Sequence, residues 1–167
     1  MKTKLLLFAS VLFLFVSCEE SLTVDVNTNL TQDVDVNAKE TTLKTSGIIF
    51  DEEEDLNFED NKELKENLDK LKEMDFQEAS FTIADLPEDV VVDLTVSLPK
   101  YGISQTFTDV KNGSVVKLNA DNAALLNSKA DDIINDKKIK VKVNGTATVA
   151  GTFKIKINFA VKLKVGV

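Results

Sequence analysis

The stretch "IKVKVNGTATVAGTFKIKINFAVKLKVGV", from Ile139 to Val167, decides the fold of this chain. Every odd position in it is apolar or glycine, and the even positions are mostly lysine, asparagine and threonine. A period of two places alternate side chains on opposite faces of a strand, so the pattern predicts β-structure with one buried face and one face in water. A single strand of this length would measure about 95 Å at ~3.3 Å per residue, so the chain must turn within the stretch.

The position of that turn is limited because odd residues face the core both before and after it. A three-residue loop keeps odd residues on the buried face, whereas a two-residue loop does not. Asn144–Thr146 and Ala150–Thr152 both meet this condition, although Asn-Gly is the stronger local turn signal. We favour Ala150–Thr152, since the earlier turn would leave a very long second strand. The resulting hairpin pairs Val141 with Val161 and makes Gly145 a bulge or a close-packing point.

The same register places lysine opposite lysine across the hairpin, which is unfavourable unless acidic side chains lie beside that face. Two early segments, Thr23–Asn27 and Asp33–Asn37, alternate valine with aspartate. Their ten-residue spacing is typical of strands in a sandwich or barrel. We predict that one of these two strands lies near the lysine face.

The centre of the chain has the same character. Val90–Leu98 buries its even residues, "PKYG" follows, and Ile103–Phe107 continues on odd residues, as expected of a hairpin with a four-residue loop. Phe76–Ile83 and Ser114–Leu118 are predicted to be further strands.

Two segments interrupt the strands with helical patterns. The first has a leucine stripe at Leu64, Leu68 and Leu71 behind Asn61, whose side chain is a good helix N-cap. The second, weaker segment is Asp121–Asp136. We therefore expect one or two short helices.

These patterns predict a mainly β fold, an antiparallel β-sandwich, with the immunoglobulin-like arrangement as one option. The length of 167 residues is that of one domain. We assign residues 22–167 to a single sandwich domain.

The composition excludes several kinds of chemistry. The chain has no histidine, arginine or tryptophan and one cysteine, so it cannot build a histidine-dependent nucleophile, a zinc site of the usual ligands or a guanidinium clamp. The net charge of −8 argues against nucleic acid as a partner. We expect a protein that is not an enzyme and that carries no cofactor.

Calcium is also disfavoured. The segment Asp25–Val36 begins with the spacing of a calcium-binding loop, but Leu30 stands where the loop needs glycine and Val36 where it needs glutamate. The densest charge run, Asp51–Asp55, is predicted to be a solvated acidic loop. No metal site is therefore predicted.

The N-terminus has the form of a secretory leader. Two lysines precede the apolar run Leu5–Val16, which is followed by Ser17 and Cys18, the one cysteine of the chain. The run is shorter than the roughly 20 residues that a membrane-spanning helix needs. We assign residues 1–17 to a signal peptide and residues 18–21 to a tether.

The residues Phe15–Cys18 resemble the lipobox of bacterial lipoproteins, although that family prefers leucine and a small residue where this chain has Phe15 and Val16. The resemblance implies that the Cys18 sulfur carries a diacylglyceryl group and that Cys18 becomes the first residue. The thiol suits this role, since it is a better nucleophile than a serine hydroxyl. An ordinary secreted protein with a free thiol is the alternative.

The resemblance implies a lipid-anchored protein of a bacterial outer membrane, with the membrane as partner through Cys18. Glu19 and Glu20 resemble a signal for display on the cell surface, and the periplasmic face remains equally open. The expected role is a non-enzymatic structural or interaction module whose protein partner the sequence does not identify.

The alternative role is a carrier that holds an apolar small ligand between the sheets of the sandwich. Its pocket would be lined by residues such as Phe81, Phe107 and Phe159. Tyr101, in the "PKYG" turn, is the candidate ligand contact.

Overall fold

The computed structural model describes residues 22–39 and 47–167, which form eight strands and three short helices. The strands are β1 (Thr23–Ala38), β2 (Ile48–Asn57), β3 (Leu71–Ala84), β4 (Val92–Leu98), β5 (Ile103–Val110), β6 (Val115–Lys117), β7 (Lys138–Ala147) and β8 (Gly151–Gly166). The helices are α1 (Lys62–Asn67), α2 (Ala120–Ser128) and α3 (Ala130–Asp136).

The strands form two antiparallel four-stranded sheets that enclose a shared apolar core. The first sheet has the order β1-β8-β3-β6 and the second the order β2-β7-β4-β5. The prediction of an antiparallel β-sandwich is therefore confirmed.

The strand order differs from that of an immunoglobulin domain, in which the first strand lies beside the second. Here β1 pairs with β8, β2 with β7, β3 with β6 and β4 with β5. The chain is thus a long antiparallel ribbon of nested pairs that is rolled into two sheets, which is the arrangement of an eight-stranded jelly roll. The immunoglobulin-like option was wrong on this point.

The alternation in the last two strands has the predicted parity. The odd residues of β7 and β8 face the core, and Ile139, Val143, Ile155 and Phe159 are fully buried. Burial of such side chains is the main favourable contribution to folding.

The predicted hairpin of β7 with β8 was wrong, because the two strands lie in different sheets. Residues 148–150 carry the chain from the second sheet to the first. Val141 lies opposite Glu54 of β2, and Val161 lies opposite Thr28 of β1 and Phe76 of β3. Both sheets face one core, so parity survives the crossing and cannot reveal that the chain has changed sheets.

The two early valine-aspartate segments are the two halves of β1, since the residues between them keep the alternation and bury Leu30. This strand lies beside β8, and its aspartates contact lysines of that strand. Asp25 lies 2.7 Å from the Lys162 ammonium and Asp35 lies 3.4 Å from that of Lys154. The predicted proximity of an acidic strand to the lysines is confirmed.

The acidic run Asp51–Asp55 lies in β2 and is not a loop, which corrects the prediction from charge density. Its alternate acids face lysines of β7, and such cross-strand pairs offset the low strand propensity of acidic residues. The ion pairs are Asp51–Lys142, Glu53–Lys140 and Asp55–Lys138.

The local predictions in the centre hold. β4 and β5 form a hairpin through a 3₁₀ turn at Pro99–Tyr101, and Gly102 closes the turn with a φ of 71°, a left-handed conformation that glycine adopts easily. β3 contains the predicted strand Phe76–Ile83, and β6 is the middle three residues of the predicted strand Ser114–Leu118.

The helices are shorter than predicted. The Asn61 side chain caps α1 by accepting the Leu64 N–H, but the chain passes through a 3₁₀ turn at Leu68–Lys70 and Leu71 begins β3. The second helical segment is divided at Lys129 into α2 and α3.

Side-chain amides complete two strand edges. Asn127 of α2 accepts the Phe76 N–H at 2.7 Å and donates to the Phe76 carbonyl at 3.0 Å, so it replaces a neighbouring strand along β3. Gln105 of β5 donates to the Lys117 carbonyl at 3.1 Å and accepts the Asn119 N–H at 2.7 Å. Unpaired edges promote pairing with other chains, so these amides protect the sheet.

Candidate functional site

Cys18, the candidate lipid attachment residue, lies outside the described residues, as do the leader and residues 19–21. The described chain begins at Leu22, immediately before β1. The end of the first sheet that carries Leu22 is therefore the part of the described protein nearest to Cys18 along the chain.

An exposed apolar group lies at this end. Leu22, Val24 and Val167, which we call the apolar lip, are 77%, 50% and 74% exposed. The Val167 N–H donates to the Leu22 carbonyl at 2.9 Å, which extends the pairing of β1 with β8 past Thr23. The lip is thus held by backbone hydrogen bonds at the end of two paired strands.

The lip is exposed because the segment around Asn61, which packs over β1, does not extend as far as the lip. Even residues of β1 face the core, and their burial rises along the strand until Leu30 is fully buried. The cover over β1 begins at Thr28 and Asn29, whose hydroxyl and carbonyl oxygens accept hydrogen bonds from the Asn61 amide at 3.2 and 2.9 Å. Val24 lies beyond this contact.

Charged side chains surround the lip. Lys70 and Lys72 are exposed, and the Lys72 side chain and the Lys70 backbone carbonyl lie beside Gly166. On the outer face of the sheet, Lys164 contacts Glu73 at 2.6 Å. This end of the protein therefore combines exposed apolar side chains with exposed ammonium and carboxylate groups.

Tyr101, the candidate ligand contact, is 5% exposed and donates its hydroxyl to Asp136 at 2.6 Å. The Lys100 ammonium contacts both oxygens of the same carboxylate at 2.5 Å. These contacts join the β4–β5 turn to the last residue of α3. The Tyr101 side chain is therefore used within the protein, and little of its ring is open to a ligand.

The surroundings shift two pKa values in this cluster. Burial raises the pKa of Tyr101 above its ordinary value, and the hydrogen bond to Asp136 and its negative charge raise it further. The hydrogen bonds from Lys100 and then Tyr101 lower the pKa of Asp136.

We expect Tyr101 to stay protonated in the folded protein at a pH where a free tyrosine ionises. The folded state holds the proton more tightly than the unfolded chain, so the stabilisation is complete below the ordinary pKa of about 10 and is lost as the pH rises above it. The chain has one tyrosine and no tryptophan, so absorbance at 295 nm reports Tyr101 alone.

The measurement is a pH titration at 295 nm with circular dichroism recorded on the same samples. Asp136→Asn, which keeps the shape and removes the charge, should lower the midpoint while the protein stays folded. An ordinary tyrosine midpoint in the folded wild type would contradict the expectation.

Phe81 lies against both of the other phenylalanines of the carrier hypothesis, Phe107 and Phe159. The Phe81 ring centroid lies 6.4 Å from that of Phe107 and 6.3 Å from that of Phe159, and Phe81 and Phe159 are fully buried. Four clefts of about 180 to 330 Å³ lie at the surface, and their lining does not include these three residues. The Phe81 ring thus packs against the other two, and none of the three lines these four clefts.

Residues 22–39 and 47–167 contain no group of three or more acidic or cysteine side chains placed to hold a metal ion. Within the same ranges, no helix has the length and apolar character needed to cross a membrane.

Comparisons with known proteins identify no family for the chain. No protein-family model matches it, and no curated protein matches it. A chain from the structure of Desmodium yellow mottle tymovirus is similar over 85% of this chain and 84% of its own length, with 10% identity and a TM-score of 0.36. That score is too low to support any argument about function.

Proposed function

We propose that the protein is a lipid-anchored lipoprotein of a bacterial outer membrane, and that its strand body is a non-enzymatic structural or interaction module. The anchor is a diacylglyceryl thioether on Cys18. The observation that carries the proposal is the position of the one cysteine, directly after an apolar leader and before an acidic tether. Two or more acyl chains are enough for stable attachment to a membrane.

The position of the core is compatible with removal of the leader. Among the described residues, the buried core begins at Leu30 and β1 begins at Thr23. Cleavage before Cys18 therefore removes none of the described core. The short tether keeps the sandwich close to the lipid.

The charged outer faces support a role in binding another protein. The ion pairs on both sheets have side chains that are roughly 30 to 80% exposed, as in Lys140–Asp55 and Lys154–Asp35. Pairs of this kind contribute at most about 1 kcal/mol each to stability. They can therefore be exchanged for contacts with a partner at low cost, and such contacts would weaken as salt is added.

The test of the anchor is a comparison of the wild type with Cys18→Ser in the bacterial host, with Ser21→Ala as the matched control. The first lysine after Cys18 is Lys39, so cleavage at lysine releases the mature N-terminus as the peptide 18–39. We expect this peptide to carry acyl chains in the wild type and the control.

The wild type and Ser21→Ala should partition into a detergent phase, whereas Cys18→Ser should stay in the aqueous phase. A bare thiol on the wild-type peptide, or equal partitioning of all three proteins, would contradict the proposal. Digestion of intact cells with a protease distinguishes surface display from the periplasmic face, because only a surface-displayed domain is degraded.

A further inference from the structure

We infer that the apolar lip (Leu22, Val24 and Val167) rests in the headgroup region of the bilayer that holds the acyl chains of Cys18, so that the first sheet stands on the membrane by this end. The inference depends on the proposed anchor. It adds an orientation and a second contact with lipid.

The first argument for this orientation is the length of the tether. Cys18 and Leu22 are four residues apart, so even a fully extended chain places them at most ~14 Å from each other. The headgroup region on each side of a bilayer is about 5 to 8 Å thick. Leu22 therefore lies at most about 6 to 9 Å beyond the headgroup region, even when the tether is fully extended.

The chemistry of the lip carries the second step. Its three side chains are at least half exposed, and among the described residues no packing layer covers them. Amphipathic surfaces that lie on membranes combine such apolar groups with lysines, whose ammonium groups reach lipid phosphates while their stems stay apolar. Lys72, whose apolar stem lies beside Gly166 and which is exposed, supplies this chemistry next to the lip.

The opposite end of the sandwich provides a matched control. Val149 is 53% exposed, which is close to the exposure of Val24. It precedes β8 at the end opposite to the lip, roughly 50 Å away along the 16 residues of that strand at ~3.3 Å each. Of these two exposed apolar positions, the lip is the one within reach of a bilayer that holds Cys18.

The experiment couples the processed chain, Cys18 to Val167, through its one thiol to a maleimide phospholipid in vesicles of phosphatidylethanolamine and phosphatidylglycerol. The chain has no tryptophan, so Leu22→Trp and Val149→Trp each place a single fluorophore at one end. Both positions are exposed, and circular dichroism verifies that both variants fold. The measurement compares vesicles with brominated and ordinary acyl chains, because bromine quenches tryptophan that lies in the membrane.

We expect Leu22→Trp to lose more than half of its emission in brominated vesicles and to shift to shorter wavelength, while Val149→Trp changes little. Adding Val24→Asp to Leu22→Trp should reduce the quenching. Equal quenching of the two single variants, or none at position 22, would overturn the inference. A blue shift that depends on protein concentration without lipid would also overturn it, because a second copy would then cover the lip.

The coupling is chemical, so the result does not depend on whether cells acylate Cys18. Absence of quenching would remove the orientation and leave the proposed function standing. A bare Cys18 thiol in cells would remove the proposed function itself.

Discussion

Replacement of Gly145 by alanine is expected to lower the free energy of unfolding by at least about 3 kcal/mol, at or above the upper end of the usual cost of overpacking a core. Gly145 lies in β7 between two neighbouring strands, opposite Phe50 of β2 and Leu94 of β4. A Cβ atom at this position would lie 2.0 Å from the Asp93 carbonyl oxygen and 2.9 Å from the Leu94 Cα. Both of these contacts are with backbone atoms, so the strands themselves would have to move apart.

The pairing of β4 with β5 is irregular at Asp93, between Val92 and Leu94. The Asp93 carboxylate accepts the Asp109 N–H at 2.8 Å, and Asp109 has a φ of 56°. A strand fixed in this way has little freedom to yield to a methyl group on Gly145.

Gly151→Ala is the matched control, because a Cβ atom on Gly151 would meet nothing within 4 Å. Substitution there should change the free energy of unfolding by less than about 1 kcal/mol. The measurement is urea unfolding followed by circular dichroism. Equal midpoints for the two variants would contradict the close packing at Gly145.

Asn127→Leu is expected to lower the free energy of unfolding by about 2 to 4 kcal/mol, since it leaves the Phe76 N–H and carbonyl without partners at little change in volume. Asn127 is half-buried against β3, so water replaces the two hydrogen bonds poorly. Hydrogen exchange should also show faster exchange of the Phe76 amide than in the wild type.

Two further variants separate the contributions. Asn127→Asp keeps the acceptor for the Phe76 N–H but places a carboxylate oxygen against the Phe76 carbonyl, so it should also be destabilising, while the Phe76 amide should exchange more slowly than in Asn127→Leu. Ser128→Ala, at the exposed neighbouring position in the same helix, should stay within about 0.5 kcal/mol of the wild type. A loss at Ser128→Ala as large as at Asn127→Leu would mean that α2 is sensitive in general and that the edge contact is not special.

The features that the sequence predicted correctly are those that depend on neighbouring residues. The parity of the last two strands, the β4–β5 hairpin and the Asn61 cap each follow from spacing within a few residues. The sheet to which each strand belongs depends on contacts between distant residues. Pairing of β1 with β8 joins Thr23 to Gly166, and no local pattern encodes that choice.

The acidic run in β2 shows why charge density misled the prediction. Asp51–Asp55 has few strand-forming residues, and its strand conformation depends on the lysines of β7, about 90 residues later. Long-range pairing therefore overrides the local propensity at this position.

In the candidate site, too, some features could be predicted from the sequence and others could not. Cys18 stays a prediction from the leader, because it lies outside the described residues. The exposure of Val24 could not be predicted, because Val24 and the buried Leu30 are both even residues of β1 and face the same side of the sheet. They differ only in whether the segment around Asn61 packs over them. The burial of Tyr101 likewise depends on Asp136, 35 residues later.

The nested pairing of the strands sets an order in which the sheets can close. The β4–β5 hairpin needs residues that are adjacent in the chain, whereas β1, among the eight described strands, pairs with β8 alone, more than 100 residues away. Loops of that size form slowly, so the outermost pair is expected to be the last to assemble. During synthesis β1 would therefore stay without its strand partner until β8 has been made.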